Sequence, residues 1–392
     1  MSKPPIRIAM IGYAFIGAAH SQAWRNVHRF FGLPLTPEMA VLVGRDEAKV
    51  TAAAANLGWA ETASDWRAVV ERDDIDIVDI CTPGDTHAAI AEAALAAGKH
   101  VLCEKPLANT IAEAEAMAAA ADRARANGVR SMVGFTYRRV PAIALMRQMI
   151  TDGAVGTIRH IRGKYLQDWI IDPEFPLVWR LQKDKAGSGA LGDIGAHILD
   201  LAQFTTGQLI TGVAAQTETF ITERPLETAI GGDGGKLGAT GGAETGTVTV
   251  DDAVVALART DAGALCTFEA TRFATGRRNH IELEVNGSAG SIVFDFDEMN
   301  FLQHYDHSRG DRAGFTRIQV TEPSHPYLSA WWPPGHGLGY EHGFVNQAHD
   351  FLSAVAAGTD PAPSFAEGAQ IQRLLGAIED SAAHQAEWTR LT

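Results

Sequence analysis

The feature that most constrains the fold is a regular alternation of strand and helix patterns over the first 135 residues. The predicted strands are 6–11, 40–43, 76–81, 100–103 and 130–135, and the predicted helices between them are 17–29, 47–57, 87–97 and 111–127. Strands that alternate with helices of about 10–15 residues indicate parallel βαβ units. We therefore predict a doubly wound parallel sheet, which binds its ligand at the carboxyl ends of the strands.

The pattern changes after residue 135, because strands then follow one another without intervening helices. The predicted strands are 158–165, 209–221, 247–259, 264–272, 280–285 and 291–296, and the predicted helices are 141–150, 192–204 and 365–388. Such an order indicates an open, largely antiparallel sheet with one face available to helices or to a partner subunit. The chain is thus expected to be an α/β protein with an N-terminal Rossmann domain (1–135) and a second domain (136–392) that mediates a homodimer or homotetramer.

Composition excludes several classes of protein. The 392 residues are 46% hydrophobic, which suits two packed domains and excludes a disordered chain. A net charge of −14 makes nucleic acid and anionic membrane poor candidates for partners. No apolar run reaches the roughly 18 residues of a membrane helix. The apolar run 8–19 is interrupted by Gly12 and Gly17 and lacks a cleavage site, so a cytoplasmic protein is expected. The three cysteines are far apart, which favours a reducing compartment without disulfides.

A glycine-containing turn follows the first predicted strand. Its residues are Gly12, Tyr13, Ala14, Phe15, Ile16 and Gly17. A dinucleotide-binding turn needs glycine for the sharp bend and for helix–strand packing, and the N–H groups of the next helix then face the pyrophosphate. At the head of a βαβ series this pattern predicts a nucleotide site, the alternative being a purely structural turn. The glycine-rich stretch 231–246 lacks a strand–helix context and is predicted to be a flexible loop instead.

The end of the second predicted strand bears on which nucleotide binds. The strand is followed by Gly44, Arg45 and Asp46. A carboxylate at this place usually binds the ribose hydroxyls of NAD, whereas an arginine suits the 2′-phosphate of NADP. The sequence therefore predicts NAD(P)(H) with a slight preference for NADP, although Asp46 could reach the ribose and Arg45 could stack on adenine.

Two longer motifs resemble a known family. Residues 103–107 directly follow the fourth predicted strand, and a glycine-rich motif occupies 187–197. Together with the nucleotide turn, residues 81–83 and His87, they resemble the glucose–fructose oxidoreductase, inositol dehydrogenase and rhizopine catabolism family over nearly the whole chain. The segments most similar to the branch containing levoglucosan dehydrogenase and related sugar and cyclitol dehydrogenases are 135–139, 165–169 and 179–180.

This resemblance implies NAD(P)-dependent hydride transfer at a sugar or polyol carbon. The lysine, aspartate and histidine of the family map onto Lys105, Asp193 and His197. His197 would be the general base, Lys105 would hydrogen-bond the reacting oxygen, and Asp193 would orient substrate hydroxyls or His197. The resemblance also implies that Thr82, Pro83, His87, Glu104 and Lys105 contact the cofactor.

The residue pattern supports these roles but leaves simpler ones open. Asp193 and His197 are four residues apart on a predicted helix and so project from one face. Lys105 follows a strand, at the edge where such sheets bind ligands. Alternatively, Lys105 is a solvated lysine at the end of a strand, and His197 is a core histidine with Asp193 as its partner.

The sequence also allows predictions about which residues contact the substrate and whether a metal ion binds. The predicted substrate residues, chosen as polar groups and aromatic faces suited to a sugar, are Tyr137, Gln167, Asp168, Trp169, Arg180 and His336. The segment 331–336 could cover the pocket or reach a neighbouring subunit. No metal site is expected, because the pairs His304–His307 and His336–His342 lie in loop-like sequence without further ligands.

Two rival functions remain compatible with the sequence. An enzyme with tightly held NAD could cleave a glycoside by oxidation, elimination and reduction using the same three residues. A non-enzymatic nucleotide-sensing protein would be expected to lack an equivalent of Lys105 or His197, and both residues are present.

Overall fold

A computed structural model describes residues 4–229 and 240–391 of the protein. The described residues form two compact units. The first comprises 4–136 and 339–372, and the second comprises 137–229, 240–338 and 373–391.

The first unit contains a six-stranded, wholly parallel sheet with the strand order β3-β2-β1-β4-β5-β6. Its strands are β1 (Pro5–Ile11), β2 (Thr36–Val43), β3 (Glu61–Ala63), β4 (Ile77–Ile80), β5 (His100–Cys103) and β6 (Ser131–Val133). Its connecting helices are α1 (Phe15–Phe30), α2 (Glu47–Leu57), α3 (Trp66–Val70), α4 (His87–Ala96) and α5 (Ile111–Arg125). The doubly wound prediction is confirmed. The three-residue strand β3 was not predicted, because it is largely exposed and lacks an apolar run.

Local sequence explains where several of these helices begin and end. The Asp46 side chain accepts the N–H of Lys49 and caps α2, which ends at Gly58 with a φ of +83°. Thr110 and Glu113 form a capping box at the start of α5. These short-range bonds satisfy helix-end groups that would otherwise lack partners.

The second unit contains a nine-stranded sheet with the order β16-β15-β14-β13-β7-β12-β11-β8-β17 and a separate pair, β9-β10. Its strands are β7 (Ile158–Leu166), β8 (Ile210–Glu218), β9 (Glu223–Ala229), β10 (Thr240–Thr247), β11 (Ala253–Thr260), β12 (Leu265–Thr271), β13 (His280–Gly287), β14 (Gly290–Asp295), β15 (Phe301–Asp306), β16 (Phe315–Gln319) and β17 (Thr389–Arg390). Its helices are α6 (Pro141–Thr151), α7 (Lys183–Ala186) and α8 (Ala196–Thr206), and the chain continues with α9 (Tyr340–Ala357) and α10 (Phe365–Ala383). Among the described pairs of the large sheet only β7–β12 is parallel, so the prediction of an open, largely antiparallel sheet is confirmed.

Helix α8 approaches the large sheet closely. A Cβ atom on Gly163 of β7 would lie 2.5 Å from the Cγ1 atom of Ile198, so glycine is required for this approach. Because Ile198 follows His197 directly, the same contact fixes the height of His197 above the sheet.

The structure differs from the sequence prediction in two segments. Residues 240–246 belong to β10 rather than to a flexible loop, and 231–239 lie outside the described residues. A Cβ atom on Gly246 would lie 2.7 Å from Leu177, so that glycine reflects crowding rather than flexibility. Helix α9, placed in the second domain by the predicted boundary, packs on α1 of the first unit, with ring contacts from Phe344 to His20. Such a contact across more than 300 residues leaves no local sequence signal.

Among the described residues, the structure shows neither a membrane-spanning helix nor a disulfide bond. None of the helices in 4–229 and 240–391 is long and apolar enough to cross a bilayer. Cys81, Cys103 and Cys266 are buried, and none of them forms a disulfide bond among these residues.

Candidate functional site

The turn between β1 and α1 is shaped by two glycines. Gly12 has a φ of +101°, and a Cβ atom there would lie 2.6 Å from the carbonyl oxygen of Cys81. A Cβ atom on Gly17 would collide with the carbonyl of Gly12. Helix α1 begins after Ala14, which provides no side-chain cap. The uncapped N–H groups and the cleared backbone are what an anionic pyrophosphate requires, so these residues fit a dinucleotide.

The carboxyl end of β2 carries the residues that bear on the choice of nucleotide. The ring of Tyr13 lies against the backbone of Gly44, where any side chain would collide with it. The carboxylate of Asp46 accepts the Lys49 N–H at 3.0 Å, and this bond lowers the pKa of Asp46. Arg45 is exposed, and among the described residues none forms a hydrogen bond or ion pair with its guanidinium. Arg45 is therefore better placed than Asp46 to receive an additional charged group.

The loops that follow β4 and β5 are joined by His87. Its Nε2 atom lies 2.8 Å from the carbonyl oxygen of Thr82, and its Nδ1 atom lies 3.1 Å from that of Pro106. The peptide bond between Lys105 and Pro106 is cis. His87 is buried, so its observed contacts hold the two loops in place. Lys105 is partly buried on the second of these loops, at the carboxyl edge of the sheet.

A buried ionic cluster beneath this edge was not predicted from the sequence. His20 of α1 lies between Asp79 of β4 and Glu104, which follows β5. Trp24 donates its indole N–H to Asp79 at 2.7 Å. These residues are scattered over 85 positions of sequence, and only the strand order β1-β4-β5 brings them together.

In the second unit, the predicted helix 192–204 starts with a wider, π-helical turn at Leu191–Gly195. The carboxylate of Asp251 accepts the N–H groups of Gly189 and Leu191 at 2.7 and 2.8 Å and so caps this turn. Burial raises the pKa of Asp251. Turns of this kind recur at functional sites, and here the turn carries Asp193 and leads directly to His197.

Asp193 is held by an arginine that the sequence did not reveal. Arg272, fully buried at the end of β12, donates to Asp193 at 2.9 Å, and its guanidinium lies 5.3 Å from the centre of the Trp169 ring. Arg180 stacks on Trp179 at 4.4 Å, and burial lowers the pKa of Arg180 against the attraction of Asp193. The aspartate thus faces two guanidinium groups and remains partly exposed.

A chain of hydrogen bonds joins four further polar side chains. The hydroxyl groups of Tyr137 and Tyr165 are 2.8 Å apart, and Tyr165 donates to Asn279 at 2.7 Å. Gln167 also donates to Asn279, at 2.8 Å, and accepts the indole N–H of Trp169. The residues come together because β7 pairs with both β12 and β13. No local signal marks Asn279 or Arg272, whose proximity to 165–169 depends on that pairing.

His197 lies beside this chain. Its ring packs edge-on against Tyr137, with ring centres 4.7 Å apart, and tilted against Tyr165 at 6.1 Å. His197 is buried at the start of α8. Arg138 and Asp200 form a buried bidentate ion pair, with nitrogen–oxygen distances of 2.9 and 2.5 Å, that anchors α8 about one turn beyond His197.

Two predicted substrate residues have other contacts. Asp168 is buried, and its carboxylate accepts the N–H of Gly276 at 3.0 Å and a guanidinium N–H of Arg278 at 3.1 Å. His336 lies on an exposed loop, with its Nδ1 atom 2.9 Å from the carbonyl oxygen of Pro333. Asp168 therefore anchors the loop 276–278, whereas Tyr137, Gln167, Trp169 and Arg180 lie in the network described above. Whether any of the six contacts substrate stays a prediction.

Within 4–229 and 240–391, two groups of side chains have donor atoms close enough to share a metal ion. In the second unit, one donor atom each of His280, Glu282 and Asp295 lies within 4.8 Å of the others. In the first unit, one donor atom each of His20, Asp79 and Cys81 is equally close, but the imidazole of His20 already contacts Asp79 at 3.0 Å. We therefore interpret the group of His20, Asp79 and Cys81 as a hydrogen-bonded cluster.

Comparison with known proteins gives matches over both units. A model of an oxidoreductase family with an NAD-binding Rossmann fold matches residues 6–135, and a model of the GFO/IDH/MocA C-terminal domain matches residues 143–293. A levoglucosan dehydrogenase from Pseudarthrobacter phenanthrenivorans is 43% identical over 385 residues, which are 97% of this chain and 97% of that protein.

Solved structures of other proteins are similar over nearly the full length of the chain. An oxidoreductase domain protein from Kribbella flavida superposes with a TM-score of 0.94 at 61% identity, covering 100% of both chains. A levoglucosan dehydrogenase in complex with NADH and levoglucosan superposes with a TM-score of 0.92 at 41% identity, covering 99% of both chains.

Proposed function

Since the chain belongs to the GFO/IDH/MocA family of NAD-binding oxidoreductases, we propose that it oxidises a hydroxyl-bearing carbon of a sugar, anhydrosugar or cyclitol. The observation that carries this proposal is the polar network of the second unit. Asp193 lies at one end and the Tyr137–Tyr165 pair beside His197 at the other. Alternating donors and acceptors with an aromatic face suit the vicinal hydroxyls and C–H surface of a sugar.

The nicotinamide cofactor, when bound, supplies the acceptor for the hydride. The pyrophosphate would be held by the Gly12–Gly17 turn and the first N–H groups of α1, where a Cβ atom would fill the space. The hydride leaves the same carbon whose hydroxyl loses its proton, so the chain must provide a proton acceptor at that oxygen.

We assign the role of proton acceptor to His197, because a neutral imidazole can accept a proton near neutral pH. The ring is oriented by its packing against Tyr137 and Tyr165. Lys105 would donate a hydrogen bond to the reacting oxygen and stabilise its developing negative charge. Asp193, restrained by Arg272, would accept a hydrogen bond from a neighbouring substrate hydroxyl.

The direct test is a substrate panel of levoglucosan, inositols and aldoses with NAD or NADP, followed by the absorbance of the reduced nicotinamide. We expect substrate-dependent accumulation of reduced cofactor. A glycoside with a chromogenic aglycone completes the panel, and release of that aglycone without net cofactor reduction would support the oxidation–elimination–reduction rival instead. Cofactor binding without turnover of any sugar would favour the nucleotide-sensing rival.

The position of Arg45 predicts that the enzyme uses NADP as well as NAD. Replacing Arg45 by alanine should raise the KM for NADP by about 10- to 100-fold, because a charge-assisted bond to phosphate is worth about 1.5–3 kcal/mol. The KM for NAD should change little. The matched control is Lys49→Ala, which removes a nearby exposed cation. Equal changes in the KM for NADP and the KM for NAD would show that Arg45 does not bind the 2′-phosphate.

The open face of the large sheet predicts self-association. Val255 and Leu257 of β11 and Leu265 of β12 are 59%, 52% and 41% exposed and lie on adjacent strands. We assign a second copy of the chain to this apolar surface. Leu257→Glu should shift a dimer or tetramer towards monomer in light scattering after size-exclusion chromatography. Phe220→Glu, at an exposed position outside these strands, should not. A monomeric wild-type protein would contradict the assignment.

A further inference from the structure

The buried cluster formed by His20, Asp79 and Glu104 has no role in the proposed reaction as described so far. The Nδ1 atom of His20 lies 3.0 Å from both carboxylate oxygens of Asp79, and its Nε2 atom lies 3.1 Å from Oε1 of Glu104. The three residues are at most 5% exposed. They come from α1, β4 and the loop after β5, and so link the helix of the nucleotide turn to the strand end that carries Lys105.

The geometry determines the charge of His20. Both ring nitrogens face carboxylate groups, and only an imidazolium can donate from both. Burial lowers the pKa of His20, but the charge of Asp79 and its hydrogen bond to the ring outweigh this effect, so that the pKa is raised well above 6.5. Phe344 of α9, which also contacts the ring, is uncharged. Asp79 therefore supplies the counter-charge on one side, and Glu104 accepts the second N–H on the other.

Glu104 connects this cluster to the neighbouring residue, Lys105. The second oxygen of the Glu104 carboxylate accepts the backbone N–H of Lys105 at 3.3 Å, while the first faces His20. Gly134 of the adjacent strand end leaves the space, since a Cβ atom there would collide with the Glu104 carboxylate. The backbone N–H of Glu104 donates to Ile80 of β4 at 2.9 Å. The conformation of the Glu104–Lys105 peptide is thus tied to a carboxylate that His20 holds.

We infer that His20 is a positioning residue: held between Asp79 and Glu104, it fixes the Glu104 carboxylate and thereby the backbone that presents Lys105. The inference rests on the proposed function, because it gives His20 an effect on catalysis only through Lys105. A purely structural salt bridge would stabilise the first unit equally well. In that case kcat would fall only where the Tm falls, and a variant that recovers its Tm would also recover its kcat.

The test compares three variants of the full-length enzyme. His20→Gln leaves two buried carboxylates without a cation and is expected to lower the Tm. His20→Gln/Asp79→Asn removes the excess negative charge, so the Tm should recover, while Glu104 still lacks its imidazolium partner. Trp59→Phe is the matched control, because it removes a buried hydrogen bond, 2.9 Å long, to Ser21, the residue next to His20, without touching the cluster.

We expect the double variant to keep a kcat about 10- to 100-fold below that of the wild type, as a small displacement of a catalytic group can cost this much. Its KM for sugar and its Kd for NADH, measured by fluorescence, should change by less than about threefold. Trp59→Phe should retain the wild-type kcat. Recovery of kcat together with the Tm in the double variant would show that the cluster is only structural and would overturn the inference.

Hydrogen exchange provides a readout that does not depend on turnover. The backbone N–H of Lys105 should exchange at least about tenfold faster in the double variant than in the wild type or in Trp59→Phe. Unchanged exchange would overturn the inference whatever the activity. If the wild type oxidises no sugar but the exchange rate rises as expected, the proposed reaction fails and the positioning of Lys105 by His20 stands.

The pH dependence of stability reports on the same imidazolium. A group whose pKa is raised on folding contributes its full stability below its unfolded value, here 6.5, and loses it as the pH rises through the folded value. The free energy of unfolding of the wild type should therefore fall above about pH 6.5, and this decrease should be absent from the double variant. An equal decrease in both would contradict a charged His20.

Discussion

Replacement of His197 by alanine should lower kcat by about 10²–10⁴-fold, the usual contribution of a general base. The imidazole is expected to take the hydroxyl proton as hydride leaves the carbon, and the two rings packed against it, Tyr137 and Tyr165, present phenol groups. The Kd for NADH should remain near that of the wild type, because the nucleotide turn lies in the other unit. Single-turnover kinetics with saturating sugar measure the effect.

His160→Ala is the matched control, since His160 is a partly buried histidine at the other end of β7 and its loss should leave kcat unchanged. Added imidazole should partly restore turnover in His197→Ala, because the side chain that it replaces leaves a space at the start of α8. Near-normal turnover without imidazole would exclude His197 as the base.

Replacement of Lys105 by methionine should lower kcat by about 10²–10³-fold, the cost of removing one donor to a developing oxyanion. Methionine has a similar length and no charge, so packing around the loop after β5 is preserved. The KM for the sugar should change much less than kcat, because the hydrogen bond strengthens as negative charge develops on the oxygen. Steady-state kinetics over a range of sugar concentrations separate the two constants.

Lys49→Met provides the control, because Lys49 is an exposed lysine on α2 that is paired with Asp46 and lies outside the loop after β5. Lys105→Arg should recover little activity, since a planar guanidinium cannot place its donors as an ammonium does. A Lys105→Met variant that loses affinity for sugar but keeps its kcat would make Lys105 a binding residue and not a stabiliser of the oxyanion.

The architecture of the first unit was predictable because its determinants are local. The fully buried strand β4 and the glycines of the β1–α1 turn each impose their conformation through neighbouring residues. The short strand β3 was not predictable, since it forms by pairing with β2 and not through an apolar run of its own. The packing of α9 on α1 was also missed, because periodicity does not indicate which surface a helix covers.

The candidate site of the second unit was predictable only in part. Asp193 follows from the resemblance, and Gln167 and Trp169 were chosen as side chains suited to a sugar, whereas Arg272 and Asn279 were missed. Arg272 directly follows β12 and Asn279 directly precedes β13, and both join the site because these two strands flank β7. Asp168 lies in the right segment, yet both of its carboxylate oxygens bind the loop 276–278.

The sequence by itself determined the class of the chain, its doubly wound nucleotide-binding half and the residues expected to carry the chemistry. Those features depend on periodicity and on short motifs whose backbone constraints act over a few residues. The tertiary structure decided which groups hold the predicted residues: Arg272 on Asp193, the tyrosine pair beside His197, and His20 between Asp79 and Glu104. Tertiary packing brings these partners together from positions up to 84 residues apart on the chain, a proximity that no local pattern encodes.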